Sequence, residues 1–118
     1  MIDELLVSGC ERLFFLPLFP QYSATTTAAV HDIICREFAR RRNIPQWSWL
    51  RSYHTHPAYI EGLADSVRWH WAERGQGEKL LMSFHGIPKR NIELGDPCQY
   101  HCEEIASALA DALQLSGN

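Results

Sequence analysis

The sequence lacks any stretch approaching the roughly 20 continuous apolar residues that a membrane span needs. It also lacks a Gly-x-Gly-x-x-Gly turn and a Gly-Lys-Ser/Thr phosphate loop, which excludes the common dinucleotide and nucleoside-triphosphate sites. There is no internal repeat and no low-complexity tract. Strong charge is missing too: a net charge of −3 argues against a general electrostatic grip on nucleic acid. The one basic cluster, Arg40-Arg41-Arg42, reads as the close of a helix, where cations complement the negative end of the macrodipole. The opening residues, Met1-Ile2-Asp3-Glu4-Leu5-Leu6-Val7, carry acids where a signal peptide would have a positive region, so a cytoplasmic protein is expected.

What is present fits a soluble globular chain. Its 118 residues suffice for one domain with a real core but not for two. Cysteines stand at 10, 35, 98 and 102. Cys10 and Cys35 lie in apolar surroundings and read as small buried residues. Cys98 and Cys102 flank His101, but a spacing of four matches no standard zinc pair and no second pair exists. They read as thiols near the start of a helix, and no iron–sulfur cluster is expected.

Taken in order, residues 2–8 read as the last turns of a helix capped by Gly9. A chain that opens this way reads as part of something longer. Arg12 to Pro17 is apolar and predicts a first strand, ended by Pro17 and Pro20, neither of which can donate to a ladder. In the polar stretch 21–27, Ser23 or a threonine can cap the next helix. Ala28, Val30, Ile33, Ile34, Phe38 and Ala39 give that helix one apolar face, ending near Arg42-Asn43. His31, near its start, reads as partly exposed. A second strand spans residues 46–51, with Trp47 and Trp49 sharing one face.

The loop Ser52-Tyr53-His54-Thr55-His56-Pro57 follows. His54 and His56 could be accessory metal or proton ligands, but on the residues alone solvated loop histidines are preferred. Pro57 suits the first turn of a helix whose face is Tyr59, Ile60, Leu63, Ala64 and Val67. Gly75-Gln76-Gly77 breaks it. The run 79–84 lacks alternation, which predicts a strand covered on both faces. After it come a loop over 86–95 and a last helix opened by Asp96-Pro97, with Ile105, Ala106, Leu109 and Leu113 buried.

Strand, helix, strand, helix, strand, helix predicts an α/β fold: a three-layer, Rossmann-like parallel sheet flanked by helices. Right-handed crossovers bring the loops after all three strands to one rim. That rim would collect Tyr22, Ser23, Tyr53, His54, His56 and His85. Gly86 frees the backbone to turn and Pro88 forbids a continuing ladder, so His85 is delivered to a strand's carboxyl end, where open α/β sheets bind ligands. A histidine there can ligate a metal or shuttle a proton near neutral pH. Aromatic and hydroxyl groups around histidines suit a flat apolar ligand with a metal at its centre. A Ser83–His85 nucleophile pair is not expected, since no nucleophile elbow is present.

Two segments resemble ferrochelatase, the enzyme that inserts ferrous iron into protoporphyrin IX to make protohaem. They are Leu16-Pro17-Leu18-Phe19-Pro20-Gln21-Tyr22-Ser23 with the threonines after it, and Ser83-Phe84-His85-Gly86-Ile87-Pro88 continued by Gly95-Asp96-Pro97. Arg51-Ser52-Tyr53 and His56-Pro57 fall between them as in that family. The resemblance runs through essentially the whole chain. It implies two Rossmann-like halves around a porphyrin cleft, with residues 1–118 a single α/β unit at the end of the first half and start of the second.

By resemblance, His85 is the catalytic histidine that binds iron or takes a pyrrole proton, and Tyr22, Ser23 and Tyr53 line the porphyrin. Ferrous iron is then a substrate, with no organic cofactor. The family's catalytic glutamate falls beyond Asn118, and its first strand and porphyrin-gripping loop before Met1. Glu93 and Asp96 are near His85 in sequence but read as surface residues rather than substitutes. The isolated chain is therefore expected to be weak or inactive, to self-associate or join the missing remainder, and to touch a membrane peripherally if at all. Two alternatives stay open: a short homodimeric sirohydrochlorin-type chelatase, and a non-catalytic porphyrin- or haem-binding module.

Overall fold

The computed structural model describes residues 2–115. They form two compact units that divide between Ser52 and Tyr53. No helix among the described residues is long and apolar enough to cross a membrane.

The first unit opens with helix α1, Ile2–Val7. It is closed by Gly9 at φ +89°, a left-handed conformation that favours a residue without Cβ. Strand β1, Arg12–Phe15, pairs in parallel with β2, Gln46–Trp49, with Leu13 opposite Trp47 and Phe15 opposite Trp49. Parallel strands need a long crossover, and helix α2, Thr27–Ala39, supplies it. Leu13, Ile34 and Phe38 form the buried centre, with Phe15, Val30 and Trp47 packed against it. The period of two decides β1: Leu13 is buried while its neighbour Phe14 is 64% exposed.

Several boundaries differ from expectation. β1 stops at Phe15, whose carbonyl accepts the amide of Leu50 at 3.0 Å; Pro17 beyond it has no donor to continue the ladder. β2 ends at Trp49 rather than at 51. α2 ends at Ala39, short of Arg42, and Arg41 turns its side chain to Asp3 at 2.7 Å. No side chain caps α2; the Ser23 carbonyl instead accepts the amides of Thr26 and Ala28, each at 3.2 Å. Ile33, expected on the buried face, is 58% exposed. Val30, Ile34 and Phe38 repeat every four residues, and Ile33 lies about 100° around the helix from Ile34.

In the second unit, helix α3, Pro57–Arg74, begins as expected with proline in its first turn and ends at Gly75, φ +83°. It packs against the last helix, α5, Cys98–Ala112. Ile60 and Ala64 are buried on α3, and His101, Ile105 and Leu109 on α5. Arg68 of α3 donates to Asp65 at 2.9 Å and to the Ala112 carbonyl at 2.8 Å, placing a cation at the negative end of α5. Asp96 Oδ1 accepts the amide of Cys98 at 3.0 Å, so it serves the start of α5 from one residue earlier than a cap.

Two expectations fail here. The loop expected over 86–95 contains a short helix, α4, Lys89–Glu93. The third strand, 79–84, does not form: those residues carry no ladder, and Leu81 is 91% exposed. An apolar run becomes a strand only where a neighbour satisfies its amides and carbonyls. Among the described residues the sheet has two strands, β1 and β2. The α/β character stands, built as one parallel β–α–β unit followed by helices.

Candidate functional site

Tyr22 and Ser23 stand in the turn between β1 and α2. Ser23 is buried, and its Oγ accepts the Thr25 amide at 3.2 Å and lies 2.9 Å from Thr25 Oγ1. Thr27, fully buried, donates its hydroxyl to the Gln21 carbonyl at 3.4 Å. Serine and threonine hydroxyls that bond nearby backbone hold such turns in one shape. The Arg51 guanidinium lies 4.1 Å from the centre of the Tyr22 ring, a cation–π contact that orients the ring.

In the second unit the Tyr53 ring meets Tyr59 edge-on, with centroids 5.5 Å apart. Burial first, then the charges of Tyr53 and Cys102, push the Tyr59 phenol up, so it stays protonated well above neutrality. His56 is exposed and caps α3, its Nδ1 accepting the Ala58 amide at 3.2 Å.

His54 is not the solvated loop histidine preferred from sequence. It is 8% exposed, its Nε2 lies 2.9 Å from Glu104 Oε2, and its ring stacks on His101 at 3.7 Å with planes 15° apart. The hydrogen bond to His54 holds the Glu104 carboxyl below its ordinary range, against burial, with the Tyr100 hydroxyl adding to it. Tyr100 is raised in turn, because Glu104 holds its proton.

His85 is exposed. It lines a pocket of about 210 Å³ with Phe84, Ile87, Ile92, Cys98 and Cys102. That is smaller than the ~300 Å³ at which small-molecule sites begin. Phe84, Ile87 and Ile92 give the pocket an apolar wall. An exposed imidazole at its wall can offer a lone pair to a metal or accept a proton.

Of the residues named from sequence, Tyr22 and Ser23 thus share one turn of the first unit. Tyr53, His54, His56 and His85 belong to the second. Sequence reasoning missed the pairing of His54 with His101 and Glu104. A signal was available: His101, Ile105 and Leu109 repeat every four residues, placing His101 on the buried stripe of α5.

The fold and these side chains define an α/β protein with a histidine-lined pocket, suited to metal or proton chemistry. The chain belongs to the ferrochelatase family, whose sequence pattern it matches over residues 1–118. It is 49% identical to the ferrochelatase of Vibrio parahaemolyticus serotype O3:K6 over 116 residues, covering 98% of this chain and 36% of that protein. It is 48% identical to that of Aeromonas hydrophila subsp. hydrophila, with the same coverage of each. Against the ferrochelatase of Janthinobacterium sp. (strain Marseille) it is 45% identical, covering 98% of this chain and 32% of that one. The chain spans about a third of the length of the curated relatives it matches.

Proposed function

We propose that this chain works as part of a ferrochelatase, inserting ferrous iron into protoporphyrin IX to form protohaem. The observation that carries the reading is family membership along the whole chain, with relatives that bear that name at close to half identity. Insertion requires that two pyrrole protons leave as the ferrous ion loses its water and enters the ring. His85 is assigned the iron-binding or proton-accepting role. An imidazole can ligate a metal or accept a proton near neutral pH. Its exposure at the wall of a small pocket supports that role.

Tyr22, Ser23 and Tyr53 are assigned to the porphyrin. Tyr22 is supported by its ring held under Arg51, while Ser23 would act by shaping the turn. His56 is assigned to capping α3 before any accessory role. The parallel β1–α2–β2 unit supports a place in a three-layer, Rossmann-like sheet resembling the centre of ferrochelatase. Iron is substrate in this reading, and neither an organic cofactor nor an iron–sulfur cluster is invoked. A cytoplasmic setting, with membrane contact at most peripheral, completes it and rests on composition.

Residues 1–118 alone are expected to bind porphyrin and to be weak or inactive in insertion. A Soret titration paired with an iron-insertion assay tests this on the chain and on His85→Ala. Porphyrin binding with little insertion supports the reading. Robust insertion abolished by His85→Ala would keep the enzyme and overturn the incompleteness. Absence of porphyrin binding would remove the assignment of Tyr22 and Tyr53.

A further inference from the structure

We propose that His54, His101 and Glu104 form a second metal site, separate from His85, for a divalent first-row transition ion of the zinc or ferrous type. One donor atom from each residue lies within 4.8 Å of the others. Ligands at about 2.0–2.1 Å from a tetrahedral ion sit about 3.3 Å apart, so closing the set requires the stacked rings of His54 and His101 to turn until their in-plane lone pairs converge. The backbone already places it. His101 and Glu104 are three apart on α5 and share a face, and His54 reaches them from the turn before α3, which packs on α5.

A buried histidine kept for structure ordinarily has both ring nitrogens satisfied. His54 does not: Nε2 faces Glu104, whereas Nδ1 is buried with no hydrogen-bond partner. His54 as a whole is 8% exposed all the same. Its ring stacks on His101 at 3.7 Å, so the two histidines are already neighbours.

Two imidazoles and a carboxylate select the ion by chemistry. Magnesium and calcium prefer all-oxygen shells, while nitrogen donors favour zinc, cobalt, iron and nickel. Three protein ligands leave a coordination position for water, the pattern of an open rather than a closed site. On ligation through Nε2 the His54 proton moves to Nδ1, so the imidazole stays neutral, and Glu104 exchanges its hydrogen bond for a bond to the metal. The neighbouring thiols, Cys98 and Cys102, line the His85 pocket instead.

The site stands on this geometry alone and does not depend on the porphyrin reading. Cobalt(II) is the probe, because nitrogen and oxygen ligation at low coordination number gives visible absorption, and zinc(II) should displace it. The cobalt spectrum of this site is expected from the 118-residue protein, and the same band from His85→Ala and from Cys98→Ser/Cys102→Ser. Glu104→Gln and His101→Ala should each weaken cobalt binding about tenfold or more. Circular dichroism checks that each variant is folded. Glu104→Gln keeps the side chain's shape and decides the matter if His101→Ala does not fold. No cobalt spectrum, binding that survives Glu104→Gln, or binding lost with His85 or the thiols would overturn the proposal.

Discussion

His56 and His54, two positions apart, show how one residue type takes different work from its surroundings. His56 sits where the chain enters α3, and its ring nitrogen accepts an amide that the helix leaves without a partner. Capping side chains are worth on the order of 0.5–2 kcal/mol. His56→Ala should therefore lower stability in urea denaturation by about 0.5–1 kcal/mol, with His56→Asn restoring most of it. Porphyrin and metal affinity should stay unchanged; a loss of affinity at unchanged stability would make His56 a ligand after all. His54 is instead carried under α5 by the turn, and its partners come from 47 and 50 positions away in the chain. No local pattern announces such a partner.

At the scale of elements, α1 is too short to hold itself together as an isolated helix. Part of its anchorage is the Arg41–Asp3 ion pair, which ties it to the stretch after α2. The hydrogen bond from Arg41, then its charge, holds the Asp3 carboxyl below its usual 3.8. A carboxyl lowered in the folded state stabilises fully above its unfolded value and loses that contribution as pH falls through the folded one. Thermal melts of Asp3→Asn should therefore lie below the parent at neutral pH. The gap should close in strong acid and shrink in high salt, because Asp3 is exposed. A gap that persists in acid would assign the effect to something other than this pair.

Residues 79–84 show the limit of reading an element in isolation. The apolar run is a strand in composition, yet a strand is a relation between two chains of backbone, and no neighbour pairs with it among the described residues. α3 and α5 were legible for the opposite reason. A helix satisfies its own backbone, so its face and its punctuation, Pro57 and Gly75 for α3, can be read along the chain.

For the molecule as a whole, the apolar surface is what stands out. Val7, Phe14, Leu18 and Leu81 are all largely exposed, and both strands of the sheet are edges. Open edges with apolar side chains invite pairing with another chain. Sedimentation velocity over a concentration series should show the 118-residue chain self-associating, its mean mass rising with concentration. A constant monomer mass would show that these surfaces are inert.

The sequence by itself determined the α/β class, the helices α2, α3 and α5, the parallel pairing of two strands through a helix, and membership of the ferrochelatase family. These rest on periodicity, turn residues and two local words, all carried along the chain. Only the tertiary structure decided that 79–84 lacks a ladder and that Ile33 faces out. It also put His85 beside Cys98 and Cys102 and seated His54 against His101 and Glu104. Those outcomes depend on which distant residues meet, and a side chain's chemistry follows from its neighbours in space.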